Sequence, residues 1–132
     1  MTQTLDQIRA AFAWDCASAG INQRGKDYKT LAKGAPALIM NSGLMPTLAF
    51  YNAKGGAAQQ LLDDLIRGLS WRLGNKALQP GHGSRLFEPF MRDVLQKVDS
   101  REYLRYTDEA LELLKWIRQF VDAVNNLQQG PR

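Results

Sequence analysis

Three lysines on one predicted helix face are the residues of this chain best suited to bind a ligand. Lys26, Lys29 and Lys33 recur at spacings of three and four residues, so they share one side of a helix. Like charges at this spacing repel one another and add no stability to the helix. They are either tolerated in solvent or kept for a negatively charged partner. This face is therefore a candidate surface for a polyanion.

The segment around these lysines is the basic part of the chain. Between residues 21 and 60, Arg24 and Lys54 join the three lysines and Asp27 is the only acid, a net charge of +4. The whole chain also carries +4, from 17 basic and 13 acidic residues, so the rest is balanced. A solvated helix face explains the segment, and so does a surface for nucleic acid. Tyr28 and Tyr51 have two possible roles in this segment: their rings either stack on bases or pack at the edge of the core.

Any nucleic-acid binding is expected to use the phosphate backbone. The sequence has no helix-turn-helix signature with a polar reading helix, and it lacks the glycine-aromatic motif of the strand-based RNA binders. Contacts to phosphates carry no base information. We therefore expect little sequence preference.

Residues that often catalyse reactions are present, but their context favours structural roles. His82, the single histidine, lies in the glycine-rich segment 74–84, and Cys16, the single cysteine, lies in a predicted helix. The acidic pairs Asp63–Asp64 and Asp108–Glu109 are adjacent in sequence, so the two members of each pair diverge around a helix. No glycine motif has the spacing of a phosphate-binding loop after a strand. The sequence predicts no catalytic residue, no metal site and no cofactor.

The elements that must position these residues are predicted to be helices, because apolar side chains recur every three or four residues. Thr4 is the expected N-cap of the first helix, whose buried stripe is predicted to contain Leu5, Ile8, Ala11 and Phe12, with Asp15 at its polar edge. Gly20 is expected to loosen or end that helix. Later helices are predicted over residues 26–41, 57–73 and 85–98 and from Ser100 or Thr107 to Asn125, with a short helix between the first two that has Leu44 on one side and Lys54 in its last turn.

Glycine and proline divide the second and third helices. Pro36 lies inside the second helix, where it removes one backbone hydrogen bond and favours a kink. Gly43 is the predicted terminator, because glycine enters the left-handed backbone region without steric cost. Pro46 suits the first turn of the next helix. Lys54 lies in the last turn of that helix, where it complements the helix dipole, and Gly55 is the expected cap.

Length and composition predict one domain. A chain of 132 residues with 45% hydrophobic residues has enough apolar material for one core. The predicted fold is all-α, a compact single-domain bundle of five to six helices over residues 1–132, with a surface loop over about 74–84 and a frayed tail over about 126–132. The lone cysteine and the absence of a secretory signal or membrane span predict a cytoplasmic protein.

Two blocks of sequence resemble the small-subunit family of the Cmr complex, the type III-B CRISPR–Cas effector. Each block is largely apolar and only moderately specific, but together they occur in the family's order and cover about a third of the chain. The matching residues of the first block are Tyr28, Leu31, Pro36, Ile39, Asn41, Gly43, Leu44, Thr47, Leu48, Ala49, Phe50 and Lys54. Those of the second block are Tyr103, Thr107, Glu109, Ala110, Leu111, Leu114, Trp116 and Phe120.

The resemblance implies a small, all-helical, non-catalytic subunit of an antiviral RNA-guided effector. In that family, copies stack along the effector filament opposite the backbone subunits that hold the guide RNA, and they help to form the channel of the guide–target RNA duplex. Cleavage of the target belongs to the backbone subunits, and the large subunit carries other activities. The implied partners are these other Cmr subunits, neighbouring copies of the chain and the RNA duplex. The alternative function is a helical protein–protein adaptor that makes no RNA contact.

The second block departs from the family pattern at one position. The family often has two adjacent basic residues between the tryptophan and the phenylalanine, whereas only Arg118 is basic between Trp116 and Phe120 here. Lys115 partly substitutes from the preceding turn, and Trp116 is interpreted as a packing residue. The predicted RNA-binding residues are Arg24, Lys26, Lys29, Lys33, Lys54, Lys115 and Arg118.

Overall fold

The computed structural model describes residues 2–74 and 86–128 of the chain. The described residues form six α-helices and one π-helical segment, joined by short connections, and contain no strand. The predicted all-α bundle of five to six helices is confirmed. The elements are α1 (Leu5–Arg24), α2 (Lys26–Ser42), α3 (Leu44–Lys54), α4 (Ala57–Arg72), α5 (Phe87–Phe90), the π-helical segment Met91–Leu95 and α6 (Ser100–Gln128).

Local signals in the sequence account for most helix ends. Thr4 caps α1 through a capping box with Gln7, and Gly43 and Gly55 are the C-caps of α2 and α3. Gly43 has φ +95°, in the region that favours glycine. Pro36 lies inside α2, as predicted. The connections from α1 to α3 are single glycines, so consecutive helices turn sharply against one another.

Two expectations for α1 were wrong, namely that Gly20 ends the helix and that the stripe from Leu5 to Phe12 is the buried one. The helix continues through Gly20 to Arg24, because Gly20 serves the packing of α2: a Cβ atom there would lie 2.4 Å from Cδ1 of Tyr28. The predicted stripe is also not the buried one, since Leu5 is 40% exposed. The small side chains of Ala13, Cys16 and Ala17 face the core instead, which lets α1 approach its neighbours closely.

Side-chain contacts define the directions of the long helices. Arg9 of α1 binds Glu109 of α6 and Trp14 packs on Phe120, so α1 and α6 run parallel. Arg72 of α4 also approaches Glu109, with Nε 3.4 Å from Oε2. Because α4 reaches the early part of α6 with its C-terminal end, it runs antiparallel to both.

One continuous core joins these helices. The largest fully buried side chains come from α2, α3, α4, α5 and α6: Tyr28, Ile39, Leu44, Leu48, Tyr51, Leu61, Leu62, Leu65, Ile66, Leu69, Phe90 and Leu113. The predicted helix over 85–98 is shorter, since the α-helical part is α5 alone and a π-helical segment follows it. The last helix begins at Ser100 and reaches Gln128, within the predicted tail. The predicted loop at residues 74–84, after Gly74, and residues 129–132 of the tail lie outside the described residues, and the domain bounds 1–132 stay a prediction.

Candidate nucleic-acid interface

The lysine face of α2 lies against the C-terminal half of α6. Nζ of Lys29 is 3.3 Å from Oδ1 of Asp122, and Nζ of Lys33 is 2.8 Å from Oδ2 of the same carboxylate. The side chains are partly open to solvent, with exposed fractions of 29% for Lys29, 41% for Lys33 and 45% for Asp122. Lys26 is exposed one turn earlier on the same face of α2. Asp122 therefore joins the predicted basic face to a second helix.

Two further predicted cations extend this surface along α6. Lys115 and Arg118 lie seven and four residues before Asp122, so the three side chains occupy one stripe of the helix. Nζ of Lys115 is 3.9 Å from Oε2 of Glu112 and 5.7 Å from the ring centroid of Trp116. Arg118 is exposed and has no ion pair in the described part of the chain.

We name this surface the α2–α6 seam. It comprises five cations and the carboxylate between them: Lys26, Lys29, Lys33, Lys115, Arg118 and Asp122. Lys33, followed by Lys29, lowers the pKa of Asp122, so this carboxylate is charged at neutral pH. The five cations outnumber the two carboxylates that they contact, Asp122 and Glu112. The seam is therefore a net positive surface across two helices.

The remaining two predicted cations lie at one end of the bundle. Nε of Arg24 donates to Oε1 of Gln60 over 3.3 Å, and Nζ of Lys54 is 5.8 Å from the ring centroid of Phe50. Both cations are exposed. Arg24 ends α1 and Lys54 ends α3, whereas Gln60 lies in the first turn of α4. Only Gly25 separates Arg24 from Lys26, so this end adjoins the seam.

Aromatic residues near the cations mostly pack inside the protein. Tyr28 is completely buried and donates a hydrogen bond of 2.6 Å to Oδ2 of Asp64, so it has no free face for a base. Tyr51 is 2% exposed, and burial raises its pKa to about 12. Trp116 packs on Phe120 with ring centroids 5.8 Å apart. Phe50 is the exception near Lys54, at 52% exposed.

Residues that suggested chemistry in the sequence occupy structural positions. Cys16 is buried, and burial raises the pKa of its thiol, which makes the reactive thiolate scarce. Asp64 and Glu109 are buried, whereas Asp63 is half-buried and Asp108 exposed, so each acidic pair diverges as expected. His82 lies outside the described residues. No cluster of metal-ligating side chains occurs among residues 2–74 and 86–128.

Two buried polar contacts were not anticipated from the sequence. Glu109, 5% exposed, accepts hydrogen bonds from Nε of Arg9 at 2.9 Å and from Nη2 at 2.7 Å. Asp64 accepts from Tyr28 and from Arg67, and burial raises its pKa to about 6. Acidic residues within apolar helical stripes were the main signal. Arg67 is three residues from Asp64, but Tyr28 is 36 positions from Asp64 and Arg9 is 100 positions from Glu109.

A surface cavity of about 270 Å³ lies beside the Arg9–Glu109 pair and meets the seam only through Glu112, which also contacts Lys115. Charged residues of both signs line it: Arg9, Arg72, Arg105, Asp108, Glu109 and Glu112. Their charges balance, so the cavity does not favour a polyanion. No helix of the described chain is long and apolar enough to cross a membrane.

The fold and the seam define the class of protein. The chain is a small all-α bundle, and its net positive surface lies across two helices rather than in a cleft. Comparison with known proteins identifies the family. The family model for CRISPR-associated protein (Cas_Cmr5) matches residues 5–124, nearly the whole chain. The chain therefore belongs to the Cmr5 family, the small subunits of the type III-B CRISPR effector, as the two sequence blocks indicated.

A relative and a solved structure agree with this assignment. The protein described as CRISPR system Cmr subunit Cmr5, from Thermus thermophilus, is 26% identical over 124 residues, which cover 92% of this chain and 96% of the relative. The crystal structure of a CRISPR-associated Cmr5 family protein, also from Thermus thermophilus, has a TM-score of 0.72 and 24% identity. The structural match covers 93% of this chain and 98% of the solved chain, which shows that the two share a fold.

Proposed function

We propose that this protein is a non-catalytic subunit that contacts RNA in a type III-B effector through the α2–α6 seam. Membership of the family makes it a Cmr subunit. The observation that carries the RNA contact is the seam itself, where five of the seven predicted cations lie across two packed helices. In this proposal, copies stack along the filament and their seams line the channel of the guide–target RNA duplex.

The dimensions of the seam suit a nucleic-acid backbone. Lys26 and Lys33 are seven residues apart, which is about 10 Å along α2. Lys115 extends the surface by a similar length along α6, about 10 Å before Asp122. Lysine ammonium groups on flexible stems bind phosphates as point charges and read no bases. The proposed contact is therefore independent of sequence and sensitive to salt.

The structural use of the acidic residues and of the cysteine supports the non-catalytic part of the proposal. Glu109 binds Arg9, Asp64 binds Tyr28 and Arg67, and Cys16 is buried. None of these groups lies on the seam. Target cleavage in this proposal belongs to other subunits of the effector.

The most informative variant reverses the charge of Lys26 and Arg118 together. Both side chains are exposed, and neither has an ion pair among residues 2–74 and 86–128, so Lys26→Glu with Arg118→Glu breaks no existing ion pair. Reversing Lys29 and Lys33 is less clean, because it places two new carboxylates against Asp122. The matched control is Lys97→Glu with Arg101→Glu, two exposed cations in the turn before α6 and in its first turn, far from Asp122 along the helix.

The assay measures target RNA binding by the assembled effector as a function of salt concentration. We expect the seam variant to assemble normally, to bind target RNA more weakly and to lose roughly 0.7–0.9 from the salt slope for each phosphate contact removed. The control pair should change neither the affinity nor the slope by a comparable amount. Equal behaviour of the two variants would show that the seam does not face RNA.

A protein–protein adaptor is the second candidate function. It is supported by the internal partners of several cations, such as Asp122 for Lys29 and Lys33, and by large apolar side chains at the surface. Met40 is 74% exposed and Trp71 is 52% exposed. Photocrosslinking of the assembled effector to labelled target RNA separates the two candidates. Crosslinks at α2 or at Arg118 exclude the adaptor, whereas normal assembly without any crosslink to this subunit supports it.

A further inference from the structure

The contact between Asp122 and two lysines of the seam has the geometry of an occupied anion site. The two oxygens of the carboxylate each contact one ammonium group, at 3.3 Å for Lys29 and 2.8 Å for Lys33. Two oxygens of one phosphate group present the same pair of negative acceptors. A cation pair already held four residues apart on one helix therefore binds either anion in a similar way.

We infer that Asp122 is an internal competitor that occupies a phosphate site formed by Lys29 and Lys33. The ligand class is the phosphate of a nucleic-acid backbone, which must displace the carboxylate to contact both lysines. This inference deepens the proposed RNA contact and rests on it for the identity of the natural ligand. Its physical basis is the geometry of the site in the isolated chain.

The alternative role for Asp122 is to fasten α2 to α6, and the packing makes that role minor. The helices already contact one another through buried apolar side chains, and Ala32, Ala35 and Val121 are completely buried. Asp122 is 45% exposed, and ion pairs with this exposure are weak because water and salt screen them. The contact is therefore strong enough to hold the lysines in place and weak enough to exchange for a phosphate.

Competition has a consequence that a fastening role does not. Asp122→Asn keeps the size of the side chain and removes its charge, which leaves Lys29 and Lys33 without an internal counter-ion. Phosphate binding then no longer requires displacement of a carboxylate, and one more cation is available to neutralise RNA. We expect binding about two- to tenfold tighter than for the wild type, and a salt slope for RNA steeper by about one.

The first experiment is an NMR titration of the full chain with inorganic pyrophosphate, following the signals of Lys29, Lys33 and the C-terminal half of α6. The variants are Asp122→Asn, the same change with Lys29→Gln and Lys33→Gln, and Glu88→Gln. Glu88 is 75% exposed and pairs with Arg92, so its replacement removes one negative charge away from the seam. We expect the gain in affinity for Asp122→Asn alone, with shifts confined to the seam.

Three results overturn the inference. They are a gain for Glu88→Gln equal to that for Asp122→Asn, weaker binding by Asp122→Asn, and a gain that persists without Lys29 and Lys33. The same Asp122→Asn variant is then measured with target RNA in the assembled effector. Tighter binding of pyrophosphate by Asp122→Asn supports the anion site. If the same variant then binds target RNA with unchanged affinity in the assembled effector, the proposed RNA function is refuted and the anion site is not.

Discussion

The buried carboxylate of Asp64 makes the stability of the fold depend on pH in a direction that can be measured. Asp64 of α4 is 2% exposed and faces α1 and α2, near Cys16, Tyr28 and Arg67. Burial raises its pKa from 3.8 to about 6, whereas the hydrogen bond from Tyr28 and the charge of Arg67 lower it. Burial is the largest effect, because Arg67 is 45% exposed and its charge is screened by water.

The size and sign of the effect follow from proton linkage. Since the folded protein holds this proton more tightly than the unfolded chain does, the contribution of Asp64 to stability is fully present below about pH 4. It is lost as the pH rises through about 6. A pKa difference of about two units corresponds to roughly 3 kcal/mol of unfolding free energy.

The variant Asp64→Asn isolates this contribution from all other titrating groups. Asparagine has nearly the same shape, its side-chain oxygen accepts the hydrogen bond from Tyr28, and it does not ionise. The unfolding free energy of the wild type and the variant is measured by urea denaturation at pH 4, 5, 6 and 7, followed by circular dichroism. We expect the stability of the variant, relative to the wild type, to rise by roughly 2–3 kcal/mol between pH 4 and pH 7.

A second variant tests the balance of effects at the same site. Tyr28→Phe removes the hydrogen bond that favours the charged carboxylate, so the pH window should move upward. If the difference in unfolding free energy between Asp64→Asn and the wild type does not change with pH, burial does not dominate the pKa of Asp64. A relative stability that falls as the pH rises would show that Arg67 and Tyr28 lower the pKa below its ordinary value.

Two further predictions test the packing and the buried ion pair. Gly20→Ala should lower the unfolding free energy by about 1–3 kcal/mol, because the new Cβ would lie 2.4 Å from the buried ring of Tyr28. Gly34→Ala has open space around its new Cβ and should raise the unfolding free energy by roughly 0.5–1 kcal/mol, because alanine favours the helix. Equal effects of the two alanines in urea denaturation would contradict this packing argument. Glu109→Ala removes the buried acceptor of the mostly buried Arg9 guanidinium and leaves it only Asp6 and Glu112, at 3.8 and 4.0 Å. The unfolding free energy should fall by about 3–5 kcal/mol, against less than roughly 1 kcal/mol for Glu102→Ala in an exposed pair. Similar melting curves for these two variants would show that the buried pair adds little.

Helix ends and the fold class could be predicted because their causes are local. Thr4 and Gln7 form a capping box within four residues, and Gly43 ends α2 through its own backbone angle. Periodic apolar residues predicted α4 and α6 for the same reason. The alternative in which Gly20 ends α1 was wrong, because a local preference for ending a helix was outweighed by the contact with Tyr28 on the next helix.

The candidate interface was predictable only in part. The spacing of Lys26, Lys29 and Lys33 placed them on one face, and α2 confirms that arrangement. Their role in binding RNA stays a prediction. Asp122 was not anticipated, since its position 89 residues beyond Lys33 gives no sign that the two side chains meet.

The sequence by itself determined the helices, the approximate positions of their ends, the basic face of α2 and membership of the Cmr5 family. These properties depend on side-chain periodicity, backbone preferences and ordered motifs, all of which are visible along the chain. Only the tertiary structure decided that Asp122 lies between Lys29 and Lys33, that Glu109 holds Arg9, and that Asp64 is buried under Tyr28. The physical reason is that packing α1, α2 and α4 against one another and against α6 brings distant residues together and removes water from some of them. Burial and ion pairing then determine whether each of these side chains is charged and whether it is free to bind a ligand.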